Sequence, residues 1–549
     1  LGADERPGNR HPHYRVSSFK LDEVSLGRLG RVILCTVVSL LAAISVMGSF
    51  AEGNVKPLLY AGAAGIGLLL WFAFDKFFWP VAVATLFFEG RFNFLPADLS
   101  VFQVAMIFGA VRFLVDFVAF RKTKIQRGPV LDQLLMVGFF AILFAHAAQD
   151  RLALRVFGSS LWGGRSYVTI TCAFITYFII LTLPYDRKTW RLFPYMVLIP
   201  VTFDLGVRLV VLAAPGFAYR LSEYYTGFYS EKVLGVFVEN ERVGAWSSVG
   251  LLVTVSILAF VRINTLWRPE KWWALAVFLA GFLFTVLSGF RSAIVGWAVV
   301  VMAAAARDYR KAALAILPLI AIALLGLVLL HAVAPLPRAV QRGLTFLPGN
   351  WDPAVVGDAN ASLEFRKAIR TQWWERHFPD HPFFGRGFGF DPIWSNYDEQ
   401  NQNTDFFEAI IQVGNFHNGM IAALDAVGII GTVSLFLWCM LNLMRIFSLL
   451  LRVPAPLQPA ILRWLSLYLI WLIVTNWMPL GGLSVSRLVE PFLVLLALFI
   501  KVATEEGFMQ NGKIIVPTPG EAHGLKPASP ARPLAPTLAG RKFRGRIPA

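Results

Sequence analysis

Runs of about 20 apolar residues, separated by short polar connections, recur from residue 31 to residue 503. An α-helix rises 1.5 Å per residue, so a run of about 20 crosses a hydrocarbon core of roughly 30 Å. On that measure the pattern predicts about fourteen spans. They lie near 31–50, 57–74, 77–88, 99–119, 130–149, 166–184, 192–214, 246–262, 272–289, 291–306, 312–334, 417–445, 459–479 and 486–503, the third being short. The fold class is an all-α polytopic membrane protein with about 12–14 transmembrane helices and one large loop containing short helices.

The connections fix a sidedness. "RKTKIQR" from 121, "DRKTWR" from 186, "RINTLWRPEK" from 262, "RDYRK" from 307 and the stretch 445–463 all fall on one side when the spans are counted. The positive-inside bias makes that side cytoplasmic. The chain then divides into a cytoplasmic leader (1–30), a membrane domain of eleven spans (31–334), a large periplasmic loop (335–416), three final spans (417–503) and a basic, disordered cytoplasmic tail (504–549). The polar, basic leader shows no small-residue cleavage site, so the first span reads as retained. No internal repeat is visible.

Composition narrows the function classes. Hydrophobic residues make up 56% of the chain and charged residues 15%. The net charge of +16 is spread over inter-span connections and the tail, where it serves topology and anionic headgroups; no nucleic acid is expected as a partner. Cys35, Cys172 and Cys439 sit in separate apolar runs without metal-ligand spacing, so neither a disulfide framework nor a cysteine metal site is expected.

One charge interrupts the pattern. Between 272 and 306 the only charged side chain is Arg291, in "LSGFRSAIVGW", and about 35 residues are too many for one crossing. The stretch must be a hairpin turning at "SGFRS", which puts Arg291 at the outer boundary, the side that the positive-inside bias disfavours. Arg91, Arg165, Arg220, Arg242 and Arg487 fall on the same side. Arginine offers a planar fork of donors for phosphate oxygens and keeps its charge, so several outward arginines resemble a receptor for a phosphorylated lipid headgroup.

Plainer roles compete. Arg91 and Arg165 suit interface anchors or loop ion pairs, Arg91 with Glu89 and Asp98 nearby; Arg487 can pair with Glu490, and Arg220 can stack on "YYTGFY". Arg242 and Arg291 keep the stronger functional reading. Within the bilayer, Asp204 and Arg208, and Arg112 and Asp116, are each four apart and can neutralise one another on a helix face.

The outward loop has three histidines. Residues 361–377 suit a short amphipathic helix with Trp373 and Trp374 on the membrane surface, and "GRGFGF" reads as a flexible turn rather than a dinucleotide fingerprint. His377 and His381 have a zinc spacing, but Pro379 and Pro382 break the helix such a site needs, so no metal is assigned. His417 stands where the chain re-enters the membrane, level with Arg291 and Arg242 and beside Asn418. A histidine there can take a proton from a hydroxyl near neutral pH; the plainer alternative is an interfacial histidine bonded to a helix end.

The order of these pieces resembles the O-antigen ligase and O-antigen polymerase superfamily of bacterial membrane glycosyltransferases. The likeness runs from about 235 to 431: "GVFVENERVGAW" before a span, "LSGFRS" at an outward hairpin, "EFRKAIRTQWW" and "HPFFGRGFGF" in the large loop, then "HNGMIAALDAVGIIG". The chain departs from the family in several places. It has Glu239 before Asn240 where Pro-Asn is common, Phe290 where a small residue is common, Gly419 and Met420 after the His-Asn pair, and about fourteen spans rather than twelve.

The resemblance implies a GT-C-like membrane enzyme in the bacterial inner membrane. It would use an undecaprenyl-pyrophosphate-linked glycan as donor on the periplasmic side, with no cofactor and no metal. Arg242 and Arg291 would hold the pyrophosphate and His417 would act on the acceptor hydroxyl, in an inverting transfer. Arg220, Arg366, Glu239, Asn240 and Asn418 are second-tier substrate-binding candidates. The acceptor would be a lipid A core sugar for a ligase or a growing glycan for a polymerase, and membrane lipids are further partners. A lipid-linked oligosaccharide flippase is the rival class, although such transporters usually show two related halves and short loops.

Overall fold

The structure is a computed structural model. It describes residues 65, 77–93, 95, 99–120, 128–149, 164–222, 224–225, 244–309, 313–388, 407, 410–411, 414, 416–478 and 484–516. The leader, the expected first two spans, most of the tail, and Glu239, Asn240 and Arg242 lie outside the described residues.

The described chain is almost wholly helical. In order it forms α1 (Phe78–Ala84), α2 (Val101–Phe120), α3 (Val130–Gln149), α4 (Gly164–Thr182), α5 (Leu198–Ala213), α6 (Pro215–Ser222), α7 (Gly244–Phe260), α8 (Trp272–Leu287), α9 (Arg291–Asp308) and α10 (Ala313–Val333). The large loop contributes α11 (Arg338–Leu344) and α12 (Pro353–Gln372), and α13 (Gly419–Arg452), α14 (Ala460–Trp477) and α15 (Val485–Glu505) follow. Seven described helices are long and apolar enough to cross a membrane, and three shorter apolar helices accompany them. This is a polytopic all-α membrane protein. The expected third span is only α1 with a 3-10 turn, Thr85–Phe87, too short to cross alone.

Helices that read alike in sequence separate by burial. The core lies along α15, where Leu493 to Phe499 are fully buried, packed against α4 and α14. α10, more hydrophobic than any other candidate span, buries none of its most apolar window and presents Leu319, Ile322 and Leu329 outward. In lipid an apolar face need not be hidden, so hydropathy alone does not say which helix is central.

Polar side chains tie the bundle at the end where the basic connections lie. Asp132 at the start of α3 is fully buried, and accepts from Trp438 Nε1 at 2.9 Å, from Asn442 Nδ2 at 2.7 Å and from Arg445, all on α13. The first part of the expected disordered tail is ordered: Glu506 accepts from Tyr185 Oη at 2.8 Å and pairs with Arg187, and residues Met509–Gln510 (β1) and Lys513–Ile514 (β2) form a small hairpin. Buried Phe508 and Met509 anchor it, which the polar, Pro-rich composition of the tail as a whole concealed.

The intramembrane pairs differ from expectation. The Asp204 carboxylate accepts from Glu89 N at 2.8 Å and from Tyr225 Oη and lies in the field of Arg208, while Arg208 pairs with Glu89 at 2.9 Å. A tertiary carboxylate on another segment offered a better partner than the same-helix neighbour. Arg112 lies over the ring of Phe78, 5.2 Å from its centroid, and the side chain of Asp116 is outside the description.

Candidate functional site

The α8–α9 hairpin forms as the charge pattern requires. α8 ends at Leu287 and α9 starts at Arg291, joined through Gly289 at φ 71°, a left-handed conformation that disfavours other residues. Ser288 locks the turn by donating to Thr285 O at 2.6 Å. Arg291 is thereby fixed at the first position of a helix, half-buried, and donates to Thr345 Oγ1 just past α11.

Arg291 opens onto a cavity of about 320 Å³ between the hairpin and the two loop helices, lined also by Arg342 of α11 and Arg366 of α12. The three arginines are not equivalent. Arg342 pairs with Asp358, and Arg291 bonds a neutral hydroxyl. Arg366 has no hydrogen bond or ion pair among the described residues. Burial, and then the charges of Arg370, Arg291 and Arg342, push the Arg366 guanidinium below its usual range. Three guanidinium groups thus share one cavity, a donor set whose geometry and charge suit phosphate oxygens.

His417 stands beside this cluster. It is half-buried, with backbone at φ 50°, a left-handed region that histidine enters more readily than most residues. Burial first, then the positive charges of Arg366, Arg487 and Arg370, push its pKa down to about 4. The imidazole is therefore neutral at neutral pH, and burial with the neighbouring guanidinium charges makes it a weak base. Asn418, a substrate-binding candidate, caps α13: its Oδ1 accepts from Met420 N at 3.0 Å and Ile421 N at 3.3 Å.

A second cavity, of about 400 Å³, adjoins the first across Phe290 and Ser292, which line both. Its walls include Glu89, Ser247, Ser248, Tyr468, Trp471, Asn476 and Arg487. Gly419, two residues after His417, packs so closely on Asn476 that a Cβ there would stand 2.3 Å from the Asn476 carbonyl oxygen. The start of α13 is thus held against the end of α14. Arg487 makes no ion pair with Glu490 among the described residues, and the Glu490 carboxylate lies instead in the field of Arg91 and Arg165. Arg220 is exposed at the end of α6 and lines neither cavity.

The two loop motifs meet in a way the sequence did not foretell. α13 is broken at Gly428, at φ 62° and ψ −169°, and "HPFFGRG" lies in the break. Arg386 N donates to Asp425 O at 2.8 Å and Gly387 N to Ala426 O at 3.1 Å, while Ile429 N and Ile430 N donate to Pro382 O at 2.9 Å and Phe383 O at 3.1 Å. The expected flexible turn is therefore pinned by backbone hydrogen bonds, and it satisfies the groups that the break frees. The Asp425 carboxylate accepts from Arg386 Nε and, at 2.9 Å, from Trp373 Nε1. Trp373 is accordingly buried rather than on a membrane surface, its ring 5.9 Å from that of Phe416, the neighbour of His417. Trp374 remains exposed.

Sequence reasoning missed Arg342, Asp425 and Arg386. Arg342 carried no signal beyond being a further outward arginine. Asp425, a lone acid early in an apolar span, was the available clue for the other two.

Residues 274–436 match the family model described as O-antigen ligase. The match spans Arg291, both loop helices, His417 and the break at Gly428, and leaves Glu239, Asn240, Arg242 and Arg487 outside. Residues 274–436 are thus similar to an O-antigen ligase domain, set within a polytopic all-α membrane protein. No curated protein matches the chain.

Proposed function

We propose that the protein transfers a glycan from undecaprenyl pyrophosphate to an acceptor hydroxyl, a lipid A core sugar, on the periplasmic face of the bacterial inner membrane. The observation that carries the proposal is the convergence of Arg291, Arg342 and Arg366 on one cavity beside His417, with Arg366 lacking any counter-anion among the described residues. The orientation is supported by the basic connections at the opposite end of the bundle.

In the proposed step the acceptor oxygen attacks the anomeric carbon, the bond from that carbon to the pyrophosphate oxygen breaks, and undecaprenyl pyrophosphate departs with the electron pair. The acceptor proton goes to His417. Arg291 and Arg366 meet the charge that grows on the leaving group, in a partly water-excluded site where preorganised donors act most strongly. Arg242 is proposed to join them, and Glu239 and Asn240 to border the acceptor. Attack from the face opposite the leaving group inverts the anomeric centre.

The low basicity of His417 fits an ordered reaction. Pyrophosphate bound at Arg366 offsets the charges that depress the imidazole, so proton affinity rises when donor is in place.

The test is reconstitution of purified protein in liposomes with undecaprenyl-pyrophosphate glycan and lipid A core, beside Arg291→Ala and His417→Ala. One transfer per lipid A core, lost in both variants, is the expected result. A ladder of longer carrier-linked glycan makes the enzyme a polymerase with the same donor chemistry. Glycan that crosses the bilayer without bond cleavage overturns the proposal in favour of a flippase.

A further inference from the structure

We infer that the second cavity is the acceptor's sugar subsite, so that the two substrates occupy neighbouring cavities parted by Phe290 and Ser292. The inference rests on the transferase reading and goes beyond it, because it assigns a place and a recognition chemistry to the acceptor.

The two cavities differ in kind. The first has three guanidinium groups set among apolar side chains such as Val295, Phe346 and Leu363, which suits a pyrophosphate with a polyprenyl chain. The second is lined by the aromatic side chains Trp471 and Tyr468 and by Ser247, Ser248 and Asn476. Aromatic faces with a few convergent hydroxyl, amide and carboxylate groups match a sugar ring, which is apolar on its C–H faces and hydrogen-bonding at its rim. Glu89 adds an acceptor for sugar hydroxyls, and Arg487 a donor.

Asn476 is the sharpest sign of a ligand. It is buried, it lines the cavity, and its side-chain amide has no hydrogen-bond partner among the described residues. Its amide atoms reach into the cavity, where a hydroxyl can pair with them. A sugar hydroxyl in this cavity supplies the partner.

The position is right for transfer. Asn476, which lines the cavity, abuts Gly419, two residues along the chain from His417. His417 is within electrostatic reach of Arg366, which lines the first cavity, and of Arg487, which lines the second.

The test compares initial rates with donor and acceptor titrated separately, using full-length protein in liposomes. Trp471→Ala and Asn476→Ala are expected to raise the acceptor KM by about tenfold or more and to leave the donor KM nearly unchanged. Trp471→Phe, which restores an aromatic face, should recover most of the loss; a mere packing defect would not follow ring chemistry in this way. Donor-free binding of the delipidated core oligosaccharide, followed by calorimetry, should survive Arg291→Ala and fail in Trp471→Ala.

A rise in donor KM instead would place the donor's glycan in this cavity, and unchanged KM values for both substrates would leave it without a role; either result overturns the inference while the transferase reading stands. Absence of any transfer by the unmodified protein, with oligosaccharide binding still abolished by Trp471→Ala, defeats the transferase reading alone.

Discussion

Arg386 and Asp425 meet across the break in α13: the guanidinium Nε lies 3.0 and 2.9 Å from the two carboxylate oxygens, and Arg386 also donates to Ile411 O at 2.6 Å. One side chain comes from the large loop and the other from the membrane helix. Together with Trp373 they fix the loop to the bundle and set the approach to Phe416 and His417.

Asp425→Ala should therefore cost more than an ordinary surface substitution. Removing one partner of a largely buried pair leaves the other charge uncompensated, a loss of about 3–5 kcal/mol. The expected outcome is a lowered thermal midpoint in detergent, with new protease cleavage in the loop. An unchanged midpoint would mean that the backbone bonds at the break hold the loop by themselves.

Gly428→Ala tests those backbone bonds. At φ 62° and ψ −169°, a region essentially reserved for glycine, an alanine costs about 1–3 kcal/mol in conformation alone, and its Cβ would stand 2.3 Å from the Phe383 carbonyl oxygen. The loop must shift away. Loss of activity should exceed loss of membrane-inserted protein, measured as turnover per folded molecule after size-exclusion chromatography.

His417 should be neutral far into acid. With its pKa depressed to about 4 by burial and by Arg366, Arg487 and Arg370, the folded site resists a proton that the unfolded chain takes up near pH 6.5. Its effect on stability is thus nil above about pH 6.5 and destabilising as the pH falls towards 4. Carbethoxylation of His417 by diethyl pyrocarbonate, which needs the neutral ring, should proceed at a steady rate from pH 7 to pH 5 in the donor-free protein. Arg366→Gln removes a positive charge and should move the acid limb upward. A midpoint near 6.5 in the unmodified protein would contradict the depressed value.

Asn418→Ala separates capping from substrate binding. Loss of an N-cap costs about 0.5–2 kcal/mol. The variant should lose stability of that order in denaturant titration and show unchanged KM for both substrates, whereas Asn418→Asp, which keeps the capping oxygen, should retain most of it.

The sequence by itself determined the membrane character, the hairpin that exposes Arg291 and the large loop that ends at His417. These follow from local quantities: the length of an apolar run against bilayer thickness, and the cost of a lone charge within it. Arg366 was legible as an outward arginine, but nothing in its spacing tied it to Arg291, 75 positions earlier in the chain.

Only the tertiary structure decided which arginines converge, which were already paired and which pieces were structural. Arg208 took Glu89, Asn418 became a cap, Trp373 went inside to reach Asp425, and "GRG" filled a break in α13 instead of swinging free. The physical reason is common to all four. A buried charge or a broken helix must find a partner somewhere, and the best geometry came from segments remote in sequence, a choice that no local pattern encodes.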